Sequence, residues 1–316
     1  MRFHNIKSCS LRRILYTCGA LIITLSFILL LNRITSHPTF RNFWAGDIVD
    51  FSNSNNVTGY PYPIVPDVVH YVRFRNPQLN FVDMINIKSV YVNHKPSEIV
   101  IHCDCHNLTG KYWDMVKEIP GLRVQYKKIP TYIFGKRLSS VYHSSDIARL
   151  QILMKYGGVF LDSDVYVVKP LHYYRKFEFA LGWPPKQFLG TQVLIAHRNS
   201  RFLKLWYQSY KYYRPTRWYY NAGELPTESI LLFRPDFVHR VPYDFGVQNL
   251  AFMLYGVRSP NWRDYHTIHL LIRHRKYLVP DDHLEDFDEN NIKTYNKTFG
   301  DMARQVLFGK SDMIFV

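Results

Sequence analysis

Cysteine is scarce in this 316-residue chain: there are four, and two of them, Cys9 and Cys18, lie within the first twenty residues. The other two, Cys103 and Cys105, point the same way if the chain is extended there, a poor geometry for a mutual bridge. Buried free thiols are therefore expected, and the fold has to rest on its core rather than on a disulfide framework. Acidic residues are few as well, 25 against 40 lysines and arginines, for a net charge of +15. Four of those positives, Arg2, Lys7, Arg12 and Arg13, precede residue 14, and the remainder is still strongly basic. Zinc-finger spacing and RNA-binding aromatic motifs are missing, which argues against nucleic acid as the partner. The anions left to consider are nucleotide diphosphates, acidic glycans and a membrane face. There is no internal repeat, and only one apolar run is long enough to cross a bilayer.

That run is Ile14 to Leu31, 18 uncharged residues between Arg12-Arg13 and Arg33. Its length just suffices for a spanning helix. The basic flank favours a cytoplasmic N-terminus. A cleaved signal peptide would end in a small-x-small site, and Leu29-Leu30-Leu31-Asn32-Arg33 offers none. The expectation is a single-pass type II anchor: residues 1–13 as tail, 14–31 as anchor, 32–63 as an exposed lumenal stem and 64–316 as one catalytic domain. Three sequons, at Asn56, Asn107 and Asn296, agree with a lumenal location and mark candidate N-glycosylation sites.

From Pro66 onward short apolar runs alternate with helical patterns. Val68–Val72, Glu98–His102 and Leu122–Tyr126 read as strands, with helices expected over Asn80–His94 and Tyr112–Ile119. This alternation predicts an α/β, Rossmann-like sheet of the nucleotide-binding kind. The densest signal is Ser144 to Asp164. Ile147, Leu150, Leu153 and Met154 recur at helical spacing, with Ser145 as the expected N-cap and Gly157 as the C-cap. Val159-Phe160-Leu161 follows as a buried strand and ends in Asp162-Ser163-Asp164. Ligands collect at such strand ends in open α/β sheets. Two carboxylates there are costly unless a cation or sugar hydroxyls engage them, and oxygen ligation suits Mn²⁺ or Mg²⁺. Val165–Val168 is expected to continue the sheet, followed by strands at Phe179–Gly182 and Gln192–Ala196. A helix over Ser200–Tyr213 would place Phe202, Leu205, Trp206 and Tyr210 in the core.

The Ser-Asp-x-x-Arg helix, the Gly-Gly break and the Asp-x-Asp strand end together resemble GT-A glycosyltransferases with a DXD sugar-binding region. The initiating mannosyltransferases and the Golgi α1,4-galactosyl- and N-acetylglucosaminyltransferases are in this group. The opening Ile64-Val65-Pro66-Asp67-Val68-Val69-His70-Tyr71 is similar to the first strand of that group. The resemblance implies a Golgi membrane enzyme that transfers a sugar from a nucleotide sugar, with UDP as the expected nucleotide, to a glycan or glycolipid hydroxyl. It further implies Mn²⁺ dependence and a retaining, front-face mechanism that needs no separate protein base, so no catalytic residue is assigned.

The resemblance makes Asp146, Arg149, Asp162 and Asp164 donor-binding residues. It places the metal on Asp164 and Asp162, with His269 as a downstream ligand and His266 and His274 as its rivals. Related sequences carry a tryptophan two residues after this histidine, where this chain has Leu271. The structural alternative for Asp146 and Arg149 is an intrahelical ion pair worth tenths of a kcal/mol. Half of the aromatic cluster from Trp206 to Tyr220 fits helix-core spacing, which favours core packing for it, whereas Gln192, Trp218, Tyr219 and Tyr220 are acceptor-site candidates. Phosphatases of the haloacid dehalogenase type also use Asp-x-Asp, but their downstream Gly-Asp-x-x-x-Asp is missing, since Gly300-Asp301 leads to Gln305. A non-catalytic, membrane-bound sugar-binding protein of the same fold is the remaining alternative.

Overall fold

The structure, a computed structural model, describes residues 50–315. Among these no helix is long and apolar enough to cross a membrane. The expected anchor at 14–31 and the tail before it lie outside the described residues.

Seven strands form the central sheet in the order β10-β8-β9-β6-β1-β2-β3. They are β1 (Val68–Arg73), β2 (Glu98–Cys103), β3 (Leu122–Tyr126), β6 (Gly158–Leu161), β8 (Phe179–Gly182), β9 (Val193–Ala196) and β10 (His239–Val241). All neighbours are parallel except β9, which runs antiparallel to both β6 and β8. The fold is thus α/β with a mostly parallel sheet. Residues Gly158–Leu161 are all buried, as expected of a strand covered on both faces. Helix α1 (Phe81–Ser89) starts in a reciprocal cap between Asn80 and Asp83 and ends in a π-helical turn over Val90–His94. Of the helix expected at Tyr112–Ile119, one turn forms, Lys111–Asp114.

Helix α2 (Val141–Tyr156) begins five residues earlier than the apolar pattern suggested. Ser140 is its N-cap, accepting from His143 N–H, while the Ser145 hydroxyl donates to the carbonyl of Val141 inside the helix. The Gly-Gly break has a steric cause. Gly157 and Gly158 have φ of 66° and 110°, and a Cβ on Gly158 would lie 2.7 Å from the Val68 carbonyl oxygen. Only glycine lets the chain leave α2 and drop directly beside β1. Helix α3 (Arg201–Ser209) packs Phe202 and Trp206 into the core that α2 also covers, around Leu150, Phe160 and Leu194. Leu205 is exposed, contrary to its predicted place in the core, because it falls on the other side of this short helix.

Three further expectations are corrected. Strand β7 (Val165–Val167) leaves the main sheet and pairs antiparallel with β11 (Thr267–His269). The stem boundary moves toward the N-terminus, because Phe51 is buried against His197 and Asn56 is also buried. The Asn56 amide donates to the Asp236 carbonyl and to Glu178, and its oxygen accepts from Glu178 N–H. In the folded chain this sequon cannot present a glycan, whereas Asn107 and Asn296 are exposed. Finally, Cys103 and Cys105 are disulfide-bonded. Strand β2 ends at Cys103 and the chain bends at Asp104, which removes the extended geometry that set the two thiols apart.

Candidate active site

A cleft of about 460 Å³ opens at the C-terminal ends of β1 and β6, the position at which parallel strands leave a crevice. Asp146, Arg149, Asp162, Asp164, Gln192, Trp218, Tyr219 and His269 all line it.

Its floor is an ion cluster. Arg149, on the buried face of α2, sends Nη2 to within 3.1 Å of Asp146 and 3.2 Å of Asp162. Its other nitrogen, Nη1, donates to the Thr191 carbonyl at 2.7 Å, and the guanidinium lies 4.8 Å from the centre of the Phe160 ring. This is not a solvated ion pair on a helix surface, since the arginine side chain is 7% exposed and Asp146 15%. Burial pushes both Asp146 and Asp162 above the ordinary carboxylate range, with Arg149 opposing the shift. Burial works against the charge on Arg149, but Asp162 and Asp146 outweigh it and raise its pKa.

Asp164 has a different partner. His269 Nε2 lies 3.3 Å from its carboxylate, because β11 pairs with β7 so that His269 stands opposite Val165. The main chain locks this register: Leu270 N–H donates to Asp164 O, and Asn86 Nδ2 to Ser163 O. Burial opposes the charge on Asp164, yet His269 and Arg273 hold its pKa below the usual value. Burial likewise opposes charge on His269, and Asp164 reverses it, raising the imidazole. Asp162 is not part of this pair, its carboxylate being turned to Arg149. Leu271, where the related sequences have tryptophan, takes the left-handed conformation with φ 51°, a costly state for a bulky residue and one that turns the next residues back over the cleft.

Of the rivals to His269, His274 reaches the rim of the cleft and His266 does not, bonding instead to the Pro170 carbonyl. Tyr220 also misses the cleft and packs beneath Arg214 and Arg217. Gln192, Trp218 and Tyr219 border it, and a second hollow of about 330 Å³ shares Gln192 and Tyr219 with it. Gln192 Oε1 is buried there without a hydrogen-bond partner.

Several cleft residues were not found from sequence. Arg273 lines it beside Tyr142, whose ring centre is 4.6 Å from the guanidinium. Its spacing four residues after His269, in a basic run, was the available signal. Arg73, Asn80 and Asp83 form the far end, where Arg73 Nη1 lies 2.9 Å from Asp83.

The Asp164–His269 pair suits a divalent cation, since a carboxylate oxygen and an imidazole nitrogen face each other at the cleft with a second carboxylate one residue away. Asp67, His94 and His172 also lie together. They lie outside the cleft, where Arg175 Nη1 is 3.1 Å from Asp67 and His94 Nδ1 accepts from Leu171 N–H. His94 Nε2 and Asp67 Oδ1 face each other at 3.4 Å, and neither has a hydrogen-bond partner among the described residues.

Residues 82–185 match the family described as "Glycosyltransferase sugar-binding region containing DXD motif". The chain is 30% identical over 192 residues to "Glucan organizing enzyme 1" of Cryptococcus neoformans var. grubii serotype A, covering 52% of this chain and 51% of that protein. It therefore spans about half the length of the curated relative it matches. Among solved structures, the galactosyltransferase LgtC in complex with donor and acceptor sugar analogs aligns at 16% identity and TM-score 0.39, over 64% of this chain and 86% of LgtC. The glycosyltransferase GlyE of Streptococcus pneumoniae TIGR4 aligns at 11% identity and TM-score 0.43, over 65% of this chain and 54% of GlyE. The matched segment runs from α1 through the Asp-x-Asp and past β8.

Proposed function

We propose that this chain transfers a sugar from a nucleotide sugar, a UDP-sugar in our reading, to a hydroxyl of a glycan or glycolipid. One observation carries the proposal: the Asp146–Arg149–Asp162 cluster and the Asp164–His269 pair converge on one cleft inside a DXD sugar-binding region. Arg149 fixes both neighbouring carboxylates, leaving their other oxygens to accept hydrogen bonds from donor-sugar hydroxyls. A guanidinium with a planar fork of donors is suited to this. Asp164 and His269 would hold Mn²⁺ or Mg²⁺, which when bound neutralises the donor diphosphate. Arg273, facing the same acids, adds a fixed positive charge where negative charge grows on the departing nucleotide. The acceptor would enter the hollow bounded by Gln192, Tyr219 and Val247. We assign no protein base, in keeping with a retaining front-face transfer in which the leaving phosphate takes the acceptor proton. The uncharged 14–31 run and the sequons at Asn107 and Asn296 support a type II Golgi membrane location with the catalytic unit in the lumen.

The test is a panel of nucleotide sugars incubated with the full chain and Mn²⁺, without acceptor. Slow hydrolysis of one donor is expected. Binding of a donor with no hydrolysis would favour the non-catalytic sugar-binding alternative. Failure to bind any donor would remove the proposal.

A further inference from the structure

The positive charge of the chain is not spread evenly. No Asp or Glu occurs between Glu118 and Asp146, and none between Glu178 and Glu224. The fold brings these two acid-free stretches together. The small hairpin of β4 (Tyr132–Ile133) and β5 (Lys136–Arg137) stands outside the main sheet and seats on the end of α3. Lys136 Nζ donates to the Lys211 carbonyl at 3.0 Å, and the Phe134 ring lies 5.6 Å from that of Tyr207 with the Lys211 ammonium 5.6 Å away. Farther along, Ser139 Oγ donates to the Pro215 carbonyl, and Tyr142 meets Trp218 edge-on at 4.9 Å. The surface so joined exposes Arg137, Lys211 and Arg214 together with Tyr212 at 70% and Trp218 at 61% exposure. Glu224, at its edge, is held by Arg217 at 2.7 Å.

We propose that this surface binds an acidic glycan chain and leads it to the cleft. Open aromatic faces suit the C–H faces of sugars, and lysine and arginine side chains suit carboxylate or sulfate groups along the chain. Trp218 belongs to both the surface and the cleft, so a chain lying on the one ends beside the other. A membrane fits less well. Phe134 at the hairpin tip is a lone half-exposed ring set against Tyr207 and Lys211, not part of a broad apolar face, and a lipid-facing patch has no need to run into a catalytic cleft. That the bound glycan is the acceptor rests on the glycosyltransferase reading; that it binds does not.

The experiment measures binding of an oligogalacturonate and a heparin oligosaccharide to the full chain, against a neutral maltooligosaccharide of equal length and phosphatidylserine vesicles. An Arg137→Gln/Lys211→Gln/Arg214→Gln variant and its three single substitutions are measured in parallel. The acidic oligosaccharides should bind in a salt-sensitive way, and the triple variant should lose roughly tenfold or more in affinity, with each single change contributing part. Equal affinity for neutral and acidic chains, no binding of either acidic chain, or binding of vesicles alone would overturn the proposal. Donor hydrolysis on the same preparation separates the two claims. Acidic-glycan binding without any donor turnover upholds the surface and removes the glycosyltransferase reading.

Discussion

Replacing Arg149 with Met is the sharpest structural perturbation available at the site. The side chain keeps most of its length, but the charge that holds Asp146 at 3.1 Å and Asp162 at 3.2 Å disappears. Removing one partner of a buried ion pair costs about 3–5 kcal/mol, because the other charge stays buried and uncompensated. The Thr191 carbonyl also loses its donor, worth ~1–3 kcal/mol when left unsatisfied. The two carboxyls relieve part of this by taking up protons, their pKa values being already raised by burial. At pH 7.5 the variant should therefore lose about 3–5 kcal/mol in urea unfolding. The loss should shrink as pH falls toward 5: the folded variant then binds more protons than the unfolded chain, and acid favours the state that binds more. Adding Asp146→Asn to Arg149→Met should recover part of the loss by removing one of the stranded charges. A deficit below about 1 kcal/mol with no dependence on pH would mean that the cluster behaves as a solvated pair, and the reasoning would fail.

His70 and His102 predict a pH dependence of stability away from the site. Burial lowers them to about 4 and about 3, and His70 is bonded to both His102 and the Gly157 carbonyl. A folded-state pKa below the unfolded value of about 6.5 leaves stability intact above pH 6.5 and removes it as pH falls toward 4. The His70 share is about 3 kcal/mol, and urea midpoints at pH 7.5, 6 and 5 should fall accordingly, less steeply in His70→Gln. A flat profile would contradict the buried neutral pair. For Asn56, peptide mapping of protein from a secretory host should find glycan on Asn107 and Asn296 and none on Asn56. Asn56→Ala should cost ~1–3 kcal/mol, because the Glu178 N–H and the Asp236 carbonyl lose their partner. A glycan on Asn56 in folded protein would contradict its buried place.

What could be read from sequence was local. The helix, the Gly-Gly break and the strand ending in Asp162 and Asp164 are contiguous, so periodicity and turn chemistry were enough to place them. The burial of Arg149 was not legible, because an i, i+3 acid–base pair looks the same on a solvated face as under a sheet end. The approach of His269 to Asp164 depends on the antiparallel β7–β11 pairing of segments a hundred residues apart, and no local pattern encodes that register. Arg273 entered the cleft through the same pairing. The Cys103–Cys105 bridge is hidden from the sequence because it depends on β2 stopping at Cys103, where an apolar run alone implies a chain that stays extended. The residues before Pro63 read as a polar stem, yet Phe51 and Asn56 find partners far along the chain, on the 178, 197 and 236 segments.

The central claim is that Asp164, paired with His269, anchors a metal-dependent nucleotide-sugar reaction. It is tested most directly by comparing nucleotide-sugar turnover in the full wild-type chain and in Asp164→Asn, each with Mn²⁺ and with chelator. Wild-type turnover should vanish with chelator and return with Mn²⁺. Asp164→Asn should stay folded and lose about 10²-fold or more, as expected when a preorganised charge is removed from beneath a leaving group. An Asp164→Asn protein that keeps wild-type, chelator-sensitive turnover would contradict the assignment.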